Sequence, residues 1–331
     1  MSGSTSKPRN KYVVPAAVIV ILLLVAVGAG LYLSKGSTSS STSNTSSSSG
    51  GGSNTLVPVV AAENFWGSLV GQLGGTRVNV TSIVSDPNTD PHEYQSAPAN
   101  AIAIANAKFV IINGADYDTW AQALINASNT KGQTVLDVQD TIGLAGQSNL
   151  NPHFWYSPYY VNDTVHAMYK DLVAIDPTDT TYFKQNYAAL NSSLWTSYMQ
   201  REAQIKQQFA GRPVAATEDI FVYMANATGL KVVSPPGFMS AVAEGNDPAA
   251  QDVATFQQLL QGGNSAVSVL VYNEQTVTPL TQNIKALATS NQIPVIGVTE
   301  TIQPPDLSFQ NWMSAEVASL QNALNAAALG Q

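Results

Sequence analysis

The chain has 331 residues, long enough for two domains of ordinary size. Its net charge is −8 and only 11% of its residues are charged, against a usual ~25%; this argues against nucleic acid as a partner, mildly favours small cations and suits an extracellular polar surface. It has no cysteine, which removes disulfides, thiolate metal sites, cysteine nucleophiles and a lipid-modified cysteine together.

Residues 1–11 contain Lys7, Arg9 and Lys11 and precede an uncharged apolar run at 12–34. The run is long enough to cross a hydrocarbon core of ~30 Å, and the basic flank predicts a cytoplasmic N-terminus. The expectation is a single-pass anchor in the cell membrane with the C-terminal part extracellular. Cleavage as a secretory signal is the alternative, since small residues lie between Ala26 and Gly30. Residues 35–55 are almost all Ser, Thr, Gly and Asn and read as a disordered linker.

From Leu56 short apolar runs alternate with helical patterns, which predicts an α/β fold of parallel sheet flanked by helices. In the first predicted lobe, 56–177, strands are expected at 56–61, 78–84, 108–112 and 134–138. Helices are expected at 63–73, 98–107, 117–126 and 158–175. Two similar tripeptides fall on loops after strands: Asp90-Pro91-His92 and Asn151-Pro152-His153. A ligand in an open parallel sheet binds at that end, and proline stiffens the step before each imidazole. Two unrelated turn histidines remain the plain alternative. The third histidine, His166, lies within a predicted helix and reads as a surface residue.

Asp176-Pro177-Thr178-Asp179 marks a helix start, and 180–209 contains neither proline nor glycine. A connecting helix spanning 178–211 is therefore expected, with a second lobe at 212–331. That lobe repeats the rhythm, with strands at 213–216, 230–233, 267–272 and 294–298 and helices at 220–228, 249–260, 278–289 and 309–327. It presents two Thr-Glu pairs directly after buried strands, Thr217-Glu218 and Thr299-Glu300. Asp219 could cap the helix that follows.

Together these segments resemble the zinc/manganese-type substrate-binding proteins of ABC transporters. The resemblance rests on Asp90-Pro91-His92-Glu93-Tyr94, Asn151-Pro152-His153-Phe154-Trp155, Asp176-Pro177 before the long helix, and Thr217-Glu218-Asp219-Ile220-Phe221-Val222-Tyr223 with Gly229-Leu230. It implies metal ligands at His92, His153, Glu218 and Glu300. Glu300 departs from the aspartate usual there, and 140–150 lacks the His-rich loop of many zinc-type members. The implied function is capture of a divalent transition metal, Zn2+ or Mn2+/Fe2+, between two lobes and delivery to a permease and ATPase on separate chains. No enzyme activity is expected. Imidazole suits Zn and carboxylate oxygen suits Mn, so the donor types leave the metal open. A metal-dependent hydrolase and a surface adhesion protein of the same fold are the alternative functions.

Overall fold

The computed structural model describes residues 56–89 and 91–329. The predicted anchor at 12–34 and linker at 35–55 lie outside these residues. Among the described residues no helix is long and apolar enough to cross a membrane.

The first half builds β1 (Val57–Glu63), α1 (Asn64–Gly74), β2 (Val78–Val84), α2 (Pro98–Asn106), β3 (Phe109–Ile112), α3 (Thr119–Ser128), β4 (Thr134–Asp137), a short α4 (Val138–Thr141) and α5 (Pro158–Ile175). The strands are all parallel in the order β2-β1-β3-β4. Every residue of β3, Phe-Val-Ile-Ile, is buried, as a central strand covered on both faces requires. Gly67 lets α1 lie close on β2, since a Cβ there would stand 2.0 Å from Ser82 Oγ. Ser157 caps α5 by accepting from the Tyr160 N–H, with Pro158 in the first turn.

A continuous helical rod then runs from α6 (Thr180–Leu194) through a π turn (Trp195–Met199) into α7 (Gln200–Phe209). The second half repeats the first: β5 (Pro213–Ala216), α8 (Val222–Thr228), β6 (Lys231–Val232), α9 (Pro236–Ala243), α10 (Ala250–Gln261), β7 (Val269–Asn273), α11 (Pro279–Ser290), β8 (Val295–Val298) and α12 (Phe309–Leu329). Its parallel order, β6-β5-β7-β8, has the same pattern as the first sheet.

The expected α/β class is therefore present as two parallel sheets flanked by helices. Two helices go beyond expectation. One is the helix at 236–243, where Pro236 occupies the first turn and its missing N–H costs nothing. Val138 opens α4 instead of ending β4, because Asp137 accepts from the Asp140 N–H and caps it. The strand expected at 230–233 contracts to two residues.

One apolar core runs through both halves, joining Phe65, Trp155 and Leu172 to Phe221, Val269 and Trp312. The rod packs on α1 and α5 on one side and on α8 and α12 on the other. The start of α12 also reaches back to α1: Phe309 N–H donates to Ser68 Oγ at 3.0 Å, and Gln72 and Gln310 exchange amide hydrogen bonds at 2.7 and 3.1 Å.

Candidate metal centre

The carboxyl ends of both sheets face one cleft. His92 sits in a 3₁₀ turn, Pro91–Glu93, beyond β2, and His153 heads another, Phe154–Tyr156, beyond α4. Glu218 follows β5 and Glu300 follows β8. The sheet order reverses at β1/β3 and at β5/β7, the positions where open parallel sheets leave a crevice for ligand.

The four residues proposed from sequence converge: one ligand atom from each lies within 4.8 Å of all the others. His92 Nε2 stands 3.4 Å from His153 Nε2, 3.4 Å from Glu300 Oε2 and 3.9 Å from Glu218 Oε1. His153 Nε2 stands 3.4 Å from Glu218 Oε1 and 3.6 Å from Glu300 Oε2. A regular tetrahedron with metal–ligand bonds of ~2.1 Å has edges of about 3.4 Å. The donor spacing thus fits a four-coordinate divalent cation. His153, Glu218 and Glu300 are fully buried, and His92 closes the side nearest solvent.

Neighbouring groups fix each donor. Asn151 Oδ1 accepts from the His153 backbone N–H at 3.0 Å and lies 2.8 Å from its Nδ1. That contact holds the proton on Nδ1 and leaves the Nε2 lone pair facing the cleft. The loop itself is held by Asn113, whose Nδ2 donates to the Pro152 carbonyl at 2.9 Å while Trp66 Nε1 donates to its Oδ1. Trp155 meets His153 edge-on at 5.2 Å, and Tyr117 meets His92 edge-on at 4.8 Å. Gln275 Oε1 accepts from the backbone N–H groups of Glu300 and Thr301, at 2.7 and 2.9 Å.

The electrostatics follow from this packing. Burial alone would depress both imidazoles, but Glu300 beside His92, and Asp219, Glu218 and Glu300 around His153, more than offset it and raise both. Burial would raise the Glu300 carboxyl, yet the two imidazoles hold it well below the usual range. Both shifts favour the charged forms, so proton and metal compete for the same imidazole nitrogens.

Sequence reasoning missed several participants. Asp219 is no helix cap: its Oδ1 faces His153 Nδ1 at 3.2 Å. Tyr117 donates to Glu300 Oε2 at 2.7 Å. Asn273 donates to Glu218 Oε2 at 2.5 Å and Glu300 Oε1 at 2.9 Å, and Thr276 Oγ1 donates to Glu218 Oε2 at 2.5 Å. Asn273 did carry a mark in the sequence, as a buried amide ending the apolar run Val269–Tyr272. His166 is exposed on α5, 3.1 Å from the Tyr187 hydroxyl, as expected of a surface histidine.

Two similar parallel-sheet lobes, a helical rod between them and a convergent two-imidazole, two-carboxylate set define a two-lobed binding protein with a cation-sized site in its cleft. The model of the family described as zinc-uptake complex component A, periplasmic, matches residues 59–323, and the chain belongs to that family. It is 27% identical over 183 residues to the manganese-binding lipoprotein MntA of Halalkalibacterium halodurans, covering 53% of this chain and 59% of that one. Over 190 residues it is 27% identical to the manganese ABC transporter substrate-binding lipoprotein PsaA of Streptococcus pneumoniae, covering 52% and 59%. Over 188 residues it is 25% identical to the iron ABC transporter substrate-binding lipoprotein MtsA of Streptococcus pyogenes serotype M1, with the same coverage. The chain thus spans about six-tenths of the length of these relatives. Its fold resembles a Mn-bound periplasmic metal binding protein from Candidatus Liberibacter asiaticus, at TM-score 0.64 and 18% identity over 80% of this chain and 98% of that one. It also resembles a crystal structure of ZnuA, at TM-score 0.63 and 21% identity over 83% and 99%.

These relatives correct one expectation. A single-pass helical anchor at 12–34 with an extracellular C-terminal part is not supported, because the matched proteins are named lipoproteins. The physical reason is that an apolar run behind a basic N-terminus is common to spanning helices and to secretory signals, so hydropathy alone does not separate them.

Proposed function

We propose that the chain is the substrate-binding component of a metal ABC transporter, taking one divalent transition metal between lobes at 56–177 and 212–331 and delivering it to a permease and ATPase on separate chains. His92, His153, Glu218 and Glu300 are the ligands. The observation that carries this is the convergence of their donor atoms, all within 4.8 Å of one another and 3.4–3.9 Å apart in the five pairs that include a histidine. Two neutral imidazoles and two carboxylates balance a divalent charge, and imidazole with carboxylate accepts Zn(II), Mn(II) or Fe(II). A hydrolytic zinc site keeps a coordination position open for water; with all four protein groups as ligands, a four-coordinate site would leave none.

Metal analysis and titration calorimetry on the full chain test the reading. One metal per chain is expected, with tight binding lost in His153→Ala. Equal, weak binding of Zn(II) and Mn(II) by wild type and variant would sink it.

A further inference from the structure

One side chain, Asn273, reaches both carboxylates. Asn273 ends β7, where the strand order of the second sheet reverses, and is 1% exposed. Its Oδ1 accepts from the Gln275 backbone N–H at 2.9 Å. That bond fixes the amide the other way round for the site: only its NH2 group can point at the glutamates. The two N–H donors divide between them, one reaching Glu218 Oε2 at 2.5 Å and the other Glu300 Oε1 at 2.9 Å.

Each contact occupies the oxygen that does not face the imidazoles. Glu218 Oε2 takes a second donor, Thr276 Oγ1 at 2.5 Å, while Glu218 Oε1 has no hydrogen-bond partner among the described residues. Glu300 presents Oε2 to both histidines and keeps Oε1 on Asn273. For either glutamate to bind a metal through both oxygens, the oxygen that accepts from Asn273 would have to turn toward the imidazoles and stretch or lose that bond.

We propose that Asn273 is a positioning residue that limits Glu218 and Glu300 to one donor oxygen each, and so tunes the site to a four-coordinate metal over one that seeks five or six oxygen-rich ligands. The proposal rests on the metal-binding reading above. Zn(II) and tetrahedral Co(II) belong to the favoured class; Mn(II) belongs to the other. Thr276 acts on Glu218 alone, so it is not sufficient for the effect.

Co(II) is the probe, added to the full chain. Its visible bands are intense in a four-coordinate site without a centre of symmetry and weak in a six-coordinate one, so the spectrum reports coordination number and not merely affinity. Wild type should give the intense spectrum and Asn273→Ala the weak one. In Asn273→Ala, Zn(II) affinity should drop about 10–100-fold, with a smaller drop for Mn(II), so that the Zn/Mn preference narrows. A weak spectrum from metal-loaded wild type overturns the proposal whatever the variant does, and leaves metal binding standing. An intense spectrum and unchanged Zn/Mn ratio in Asn273→Ala overturn it too. Failure of the wild type to bind Co(II), Zn(II) or Mn(II) overturns the metal-binding reading, and this proposal with it.

Discussion

At the scale of single residues, protons and a metal would compete for the same imidazoles. The raised imidazoles of His92 and His153 must shed those protons before either Nε2 can bind a cation. Metal affinity should therefore rise with pH, and should still be rising above about 6.5, the ordinary histidine value. The metal-free fold runs the opposite way. A raised histidine stabilises it fully below the unfolded value, and that contribution is lost as pH climbs through the folded one. Zn(II) calorimetry from about pH 6 to 8, in two buffers of different ionisation heat, measures both the affinity and the protons released. Identical heats in the two buffers with a flat affinity would contradict this charge state. Asn151→Ala removes the Oδ1 that orients His153 from two directions. The expected loss is about 10–100-fold in affinity, nearer the lower figure because Asp219 still faces Nδ1. An unaltered affinity would mean that Asp219 alone holds the ring.

At the scale of elements, the rod from Thr180 to Phe209 carries a buried carboxyl that the site does not use. Glu202 is 3% exposed and neither of its oxygens has a hydrogen-bond partner among the described residues. Burial alone pushes it up to about 8. Because the folded value lies above the unfolded one, its protonated form favours the fold at low pH, and stability is lost as pH rises from the unfolded value through about 8. Glu202→Gln cannot ionise and should lose that part of the slope. The variant should gain up to about 5 kcal/mol over wild type in alkaline buffer relative to acid, read from denaturant unfolding at several pH values. Glu316, raised to about 8, and Asp118, raised to about 7, both by burial, keep their share of the slope in either protein. Parallel pH profiles would show that Glu202 is paired or hydrated in solution. The rod's extent was legible in sequence because proline and glycine are absent from 180–209, but its π turn was not. Within that turn Thr196 Oγ1 donates to the Ser192 carbonyl at 2.9 Å, a local competition with the helix ladder that many threonines make without widening a turn.

At the scale of the whole molecule, each lobe was legible separately while their junction was not. Apolar runs and turn residues marked the strands, because local rules govern them; Pro-His and Thr-Glu stood out on loops after strands, but only the family resemblance joined them into one candidate ligand set. Asn273, Tyr117 and Asp219 act through contacts 183 positions apart in one case, and no local pattern encodes such a meeting. The same holds for the bonds that tie the lobes. Tyr156 donates to the Thr299 carbonyl at 2.9 Å and lies 2.7 Å from Glu316 Oε2, Tyr223 donates to the Asn151 carbonyl at 2.9 Å, and Gln275 Nε2 donates to the Thr89 carbonyl at 2.9 Å. With one core shared across the rod, opening the cleft widely would expose Trp155, Phe221 and Trp312 together, each worth about 1.5–3 kcal/mol or more of apolar burial. A metal can shift the balance of two states only by its different affinity for them, so a slight tightening is the affordable response. Hydrogen exchange on the full chain, metal-free against Zn(II)-loaded, should show added protection in the loops around His92, His153, Glu218, Asn273 and Glu300. The helices 180–194, 200–209 and 309–329 should exchange alike in both states. Protection spreading along those helices would indicate a hinge, and would require the shared core to part in the metal-free protein.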